Sequence, residues 1–131
     1  MIKFFSKYRI IFYFFNLILI LLYLYPGSLL GRLIYGNEKI QPQITADFII
    51  SSNHFYVFIL VSIIGFLSFI KINQIKILIR YLIVLSLSLE LLHLIIPERS
   101  FQLSDLFGNL LGVLIILILF YFFKKNENFK N

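Results

Sequence analysis

Glu90 and His93 sit three residues apart inside an otherwise apolar run, and after a short polar turn Asp105 and Asn109 open the next apolar run. Carboxylate and imidazole together can share a proton, hold a metal ion or serve as general acid and base. Residues at i, i+3 and at i, i+4 share a helix face, so Glu90 pairs with His93, and Asp105 with Asn109. Carrying such a group into hydrocarbon costs about 2.5–3.5 kcal/mol per charge even on a lenient insertion scale. An ionisable residue in that position needs a partner or a task. His54, in the apolar run before, and Arg99, in the polar turn, complete the candidate ligand-binding set: His54, Glu90, His93, Arg99, Asp105 and Asn109.

The elements that must position these residues read as membrane helices. Of 131 residues, 60% are hydrophobic and 14% charged, with a mean hydropathy of +0.94. A soluble domain runs at about 45–50% apolar and 25% charged, so composition points to an integral membrane protein. The length suits one domain. The absence of cysteine excludes disulfides, thiolate nucleophiles and zinc–thiolate sites. A net charge of +6 would suit nucleic acid, but the lysines and arginines flank the apolar runs. There they set topology and touch anionic lipid headgroups, so lipid and not nucleic acid is the expected partner.

Four spans are expected, over about residues 8–25, 48–70, 76–96 and 104–123. The first is followed by no A-x-A cleavage site and reads as a retained anchor. Between the first two spans, residues 29–35 suit a short interfacial turn of helix with Arg32 on its wet side. Pro97 is expected to stop the third span, and Ser104 to cap the fourth with Asp105 in its first turn.

Basic residues fix the orientation. Lys3, Lys7 and Arg9 precede the first span, Lys71, Lys76 and Arg80 surround the start of the third, and Lys124, Lys125 and Lys130 follow the fourth. The 26–47 and 97–104 connections are basic-poor. Both termini are therefore expected in the cytoplasm, in an all-α, N-in/C-in, multi-pass bundle of the cytoplasmic membrane. At 1.5 Å per residue, His54 then lies about 9 Å and Glu90 about 6 Å outward of mid-membrane. His93, Asp105 and Asn109 join them in the outer leaflet. Gly108 and Gly112 form a G-x-x-x-G spacing that lets two helix backbones approach closely.

The run from Glu90 through Arg99, Asp105 and Asn109 to Gly112, together with His54-Phe55, resembles the VanZ-like family of small bacterial membrane proteins, named for a member associated with teicoplanin resistance. The resemblance spans about residues 45–122, and the Arg-to-Asp-to-Asn-to-Gly spacing matches without gaps. Two positions depart from the family pattern. Ile50-Ser51 stand where an Asp-Lys pair usually precedes the His, and His93 stands where a Gln usually follows the Glu. The resemblance implies a cell-envelope role linked to glycopeptide tolerance, with His54, Glu90, Arg99, Asp105 and Asn109 as motif residues.

Several readings of the cluster stay open on sequence alone. It could bind a polar or anionic ligand, lipid-linked or cell-wall-related, with Arg99 gripping the anion. It could serve a membrane enzyme acting on a lipid-type substrate, with Glu90 or His54 as the acid–base group. It could be packing alone, fixing helix register in a structural or assembly subunit. Arg99 could instead close the turn by pairing with Glu98, Asp105 or Glu90. His54, Glu90, His93 and Asp105 suffice in number for a mononuclear metal site. However, Glu-x-x-His occurs once, whereas di-iron bundles use two copies. The spacing therefore implies no metal or other cofactor.

Overall fold

The protein is described here by a computed structural model over residues 7–128. Lys3 and Lys130, which entered the charge argument, lie outside the described residues. Every regular element among the described residues is a helix: α1 (Ile10–Leu24), α2 (Leu29–Tyr35), α3 (Ser52–Ser68), α4 (Ile72–Leu92) and α5 (Leu103–Asn128).

Pro26 and Gly27 end α1, Gly27 taking φ +75°, and the chain bends by 85° into α2. Ser28 caps α2, its Oγ accepting from Gly31 N at 2.9 Å. Gly36 closes the same helix in the left-handed region, at φ +66°. The expected short helix over residues 29–35 is therefore present, with Arg32 donating to the Tyr25 hydroxyl at 2.8 Å.

Four helix ends differ from the sequence expectation. The second apolar run begins at Phe48, but α3 starts at Ser52. Asp47 Oδ1 accepts from Ser52 N at 2.8 Å, Thr45 O takes the Ser52 hydroxyl, and Asn53 ties back to Pro42 and Ile44. Phe48 and Ile49 are left outside, 92% and 74% exposed. At the other junction α4 starts early, at Ile72, so Lys76 and Arg80 lie within it. The same helix ends at Leu92, not at Pro97, because the chain tightens into i→i−3 turns from His93 to Ile95. Finally, α5 begins one residue before Ser104, and Gln102 O accepts from both Asp105 N and Leu106 N.

The long helices alternate in direction between two ends of the bundle. At one end Arg9 donates to Gln74 at 3.3 Å and stacks over the Phe69 ring, while Lys124 reaches Ile70 O. At the other, Ser51 N donates to Ser104 O, and Arg99 reaches back to α1. α3 and α5 run parallel with their N-termini together. Gly108 lies against Ser51 and Phe55, Gly112 against Phe55 and Phe58, and Phe120 stacks on Phe66 further along.

The bundle carries large apolar side chains on its outer faces and buries polar groups within an otherwise apolar core. Ser62, Ser86, Glu90, His93 and Asn109 are buried, whereas Phe14, Leu17, Ile77, Val84, Leu114 and Phe122 face outward. One helix segment, Leu103–Asn126, is by itself long and apolar enough to cross a membrane. α1 and α2 meet the same test only as a bent pair, and α3 is apolar but shorter.

The α3–α5 crossing tolerates no side chain at its glycines. A Cβ at Gly108 would stand 2.8 Å from Ser51 O, and one at Gly112 would stand 2.8 Å from Phe55 O. Both obstacles are backbone and cannot rotate away. Gly112→Ala is therefore expected to destabilise the purified protein by about 1–3 kcal/mol, the usual range for overpacking. Thermal unfolding in detergent, followed by circular dichroism, reads this directly; an unchanged midpoint would show that the helices do not cross there.

Candidate functional site

Glu90 is the centre of the polar cluster and is fully buried. It stands in the last turn of α4, pointing under the α4–α5 connection. Its Oε1 accepts from Gln102 N at 2.8 Å, which ties that connection down over the helix end. Its Oε2 lies 3.4 Å from His93 Nδ1 but makes no hydrogen bond of good geometry.

Proton bookkeeping at His93 follows from its other contact. Nε2 lies 3.0 Å from Tyr23 O, and a backbone carbonyl only accepts, so Nε2 carries a hydrogen. A single further proton then serves the Glu90–His93 contact, on imidazole or on carboxyl. The pair is neutral overall in either form, which is how an interior tolerates it.

Tyr23, near the end of α1, joins the two halves of the cluster. Its ring stacks on His93 at 5.9 Å and meets His54 edge-on at 4.9 Å. Its hydroxyl donates to Asn109 Oδ1 at 2.8 Å. Asn109 is wholly buried, and its Nδ2 finds no partner.

His54 and Asp105 form the outer layer, both mostly but not fully covered. His54 Nε2 lies 3.5 Å from Asp105 Oδ2, and Nδ1 lies 2.9 Å from Ser51 Oγ. The parallel α3–α5 crossing produces this, since Gly108 lets the first turn of α5 lie directly against the first turn of α3.

Arg99 does something the sequence does not suggest. It forms no ion pair with Glu98, Asp105 or Glu90 among the described residues. Instead Nε donates to Tyr25 O at 3.2 Å and an Nη to Leu22 O at 3.1 Å. A cation thus sits on the unpaired carbonyls at the C-terminus of α1, where the helix dipole favours it. The preceding residue, Glu98, holds φ +60°, a strained setting for a non-glycine residue that turns Arg99 back toward α1. Burial lowers the Arg99 pKa, while Asp105 and Glu90 raise it. The group stays cationic.

Above this floor lies a polar cavity of about 430 Å³, bordered by His54, Asp105, Arg99, Lys39, Asp47 and Gln102 among others. An apolar cavity of about 210 Å³ adjoins it, lined by Leu19, Leu22, Leu30, Pro42, Ile44 and Val57. The two share Gln41, Gln43, Asn53, His54 and Arg99. Residues 36–51 form the wall between them and outside.

All six sequence candidates thus meet at one end of the bundle: Glu90, His93 and Asn109 inside, His54 and Asp105 facing the cavity, and Arg99 at its edge. Tyr23, Ser51 and the Gln102 amide belong to the same network and were missed. A tyrosine one turn before the Pro26-Gly27 break, level with the other polar groups, was the available signal for the first.

The Tyr23–Asn109 bond links helices 86 residues apart in sequence. Tyr23→Phe removes the donor and leaves a buried amide without its one partner, at a cost of about 1–3 kcal/mol. Asn109→Leu is expected to behave alike. The double variant should lose less than the sum, with a coupling of about 0.5–3 kcal/mol in a thermal-unfolding cycle. Strict additivity would mean that the hydrogen bond contributes nothing.

Comparison with protein families, curated proteins and solved structures gives no match to this chain.

Proposed function

We propose that this protein is a four-span, N-in/C-in membrane protein of the bacterial envelope that binds an amphiphilic ligand with an anionic head in its outward-facing cavity. One observation carries the reading: a polar cavity lies beside an apolar one, and the two share His54 and Arg99. A purely polar ligand has no use for the apolar annex, and a plain hydrocarbon has none for the charged one. A lipid-linked head with the start of its chain uses both. The combined space falls within the usual range for small-molecule sites, about 300–1,000 Å³.

Two further features support the membrane setting. The apolar outward faces, with the polar cluster turned inward, suit a surrounding hydrocarbon. Exposed Phe48 and Ile49, beside the cavity wall, are suited to anchoring that wall at the interface. The VanZ-like resemblance adds the expectation that the ligand belongs to cell-wall synthesis and that the protein affects glycopeptide tolerance.

A membrane enzyme is the second reading, favoured by the Ser51–His54–Asp105 chain of contacts bordering the cavity. There His54 would be the acid–base group, and its loss would abolish turnover with binding retained.

A short-chain isoprenyl phosphate tests the binding reading. The purified protein is expected to bind it saturably, and Lys39→Ala or Arg99→Lys to weaken it about tenfold, the Lys variant because it keeps charge but loses the bidentate fork. Partition indistinguishable from that into protein-free micelles, or equal affinity in wild type and a Lys39→Ala/Arg99→Gln double variant, would sink the proposal.

A further inference from the structure

We infer that His54, Glu90 and Asp105 form a binding site for a divalent transition-metal ion, with Zn²⁺ as the best-suited representative. A ring nitrogen of His54 and one carboxylate oxygen each from Glu90 and Asp105 lie within 4.8 Å of one another. The three residues come from α3, α4 and α5, so the convergence is tertiary and not an accident of one helix. His54 Nε2 and Asp105 Oδ2 stand 3.5 Å apart. That is close to the edge of a tetrahedron whose metal–ligand bonds are about 2.0–2.1 Å.

Each donor is held the way a metal ligand is held. Ser51 Oγ stands 2.9 Å from Nδ1 of His54; in the tautomer with the hydrogen on Nδ1, Ser51 accepts it and Nε2 presents a lone pair toward Asp105. Gln102 N fixes one Glu90 oxygen, and His93 stands behind the other. Outer contacts of this kind orient ligands. His93 itself is excluded as a ligand, because Tyr23 O occupies Nε2 and Glu90 faces Nδ1. The four-residue ligand count from sequence thereby narrows to three.

Charge supplies a second, independent reason. Glu90 is fully buried, and its Oε2 has no hydrogen bond. Asp105 faces the same point from α5. Two carboxylates converge there with only imidazoles beside them, His93 on Glu90 and His54 on Asp105, because Arg99 is engaged on the carbonyls of α1. A divalent cation there balances both carboxylates and releases the proton that Glu90 and His93 otherwise share. One imidazole nitrogen with two carboxylates suits a borderline ion such as Zn²⁺ over Mg²⁺, which keeps to oxygen ligands. His54 and Asp105 border the polar cavity, so the remaining coordination position opens toward it, as in sites that act on a bound molecule.

The inference does not depend on what the cavity binds, and its test uses the metal alone. Untagged full-length protein, stripped with chelator and dialysed against Zn²⁺, is expected to retain about one ion per chain. Co²⁺ in its place is expected to give a visible absorption band of low coordination number. His54→Ala and Asp105→Asn should each weaken Zn²⁺ by more than the roughly 10–100-fold that loss of an outer partner costs. Both residues are at the cavity edge, so the variants are expected to keep the wild-type circular dichroism and elution volume, which are checked first. Glu90→Gln, whose amide keeps the Gln102 contact, should abolish the Co²⁺ band. Equal Zn²⁺ retention by wild type and a His54→Ala/Asp105→Asn double variant, or no retention by either, would overturn the inference. Neither result bears on isoprenyl phosphate binding.

Discussion

A carboxyl group with no access to water must find everything it needs inside the protein, and Glu90 imposes that condition on the fold. One oxygen requires a donor, which the backbone of Gln102 supplies only if the α4–α5 connection folds back over the end of α4. That is why α4 gives way to tight turns after Leu92 and does not run on to Pro97. The other oxygen requires His93, whose ring is in turn held by the last residues of α1. The positions of α1, α4 and α5 at this end of the bundle are thus consequences of one buried acid. Breaking such an arrangement from one side leaves a charge or lone pair stranded, which is costlier than never having built it.

The second determinant is backbone proximity. Parallel helices whose N-termini sit together would repel through their dipoles, and Asp105 in the first turn of α5 offsets this. Glycine at 108 and 112 lets α3 and α5 come close enough for that carboxylate to reach His54 on the neighbouring helix. Packing and site geometry are therefore the same fact. Any side chain at Gly108 would push apart the helices that carry two of the cavity residues.

Much of this was legible from residue types. The helical runs, the small helix at 29–35, and the meeting of His54, Glu90, His93, Asp105 and Asn109 all follow from periodicity and from the expense of polar groups in apolar surroundings. What was not legible depended on side chains that have two plausible settings. Tyr23 stands level with the other polar groups, but only the tertiary arrangement shows its hydroxyl on Asn109. Asp47 lies in a stretch with no periodicity, so its capping of α3, and the displacement of Phe48 and Ile49 from the helix, could not be read. Arg99 misled in a different way. An arginine among three acids suggests ion pairs, but helix ends also attract cations, and the left-handed turn at Glu98 directs the guanidinium to the carbonyls.

That last point bears on how the cavity and the bundle influence each other. Arg99 holds the C-terminus of α1 with Nε and one Nη, while the same side chain borders both the polar and the apolar space. An anionic head that accepts from the remaining Nη leaves α1 fixed. One that takes the Nε–Nη edge, the edge now on Leu22 O and Tyr25 O, must draw it off those carbonyls, and so releases the segment that presents Tyr23 to His93 and Asn109. The two binding modes differ in what they do to the buried network. The first reads the site as a rigid receptor, whereas the second couples occupancy of the cavity to the packing of α1 against the rest of the bundle.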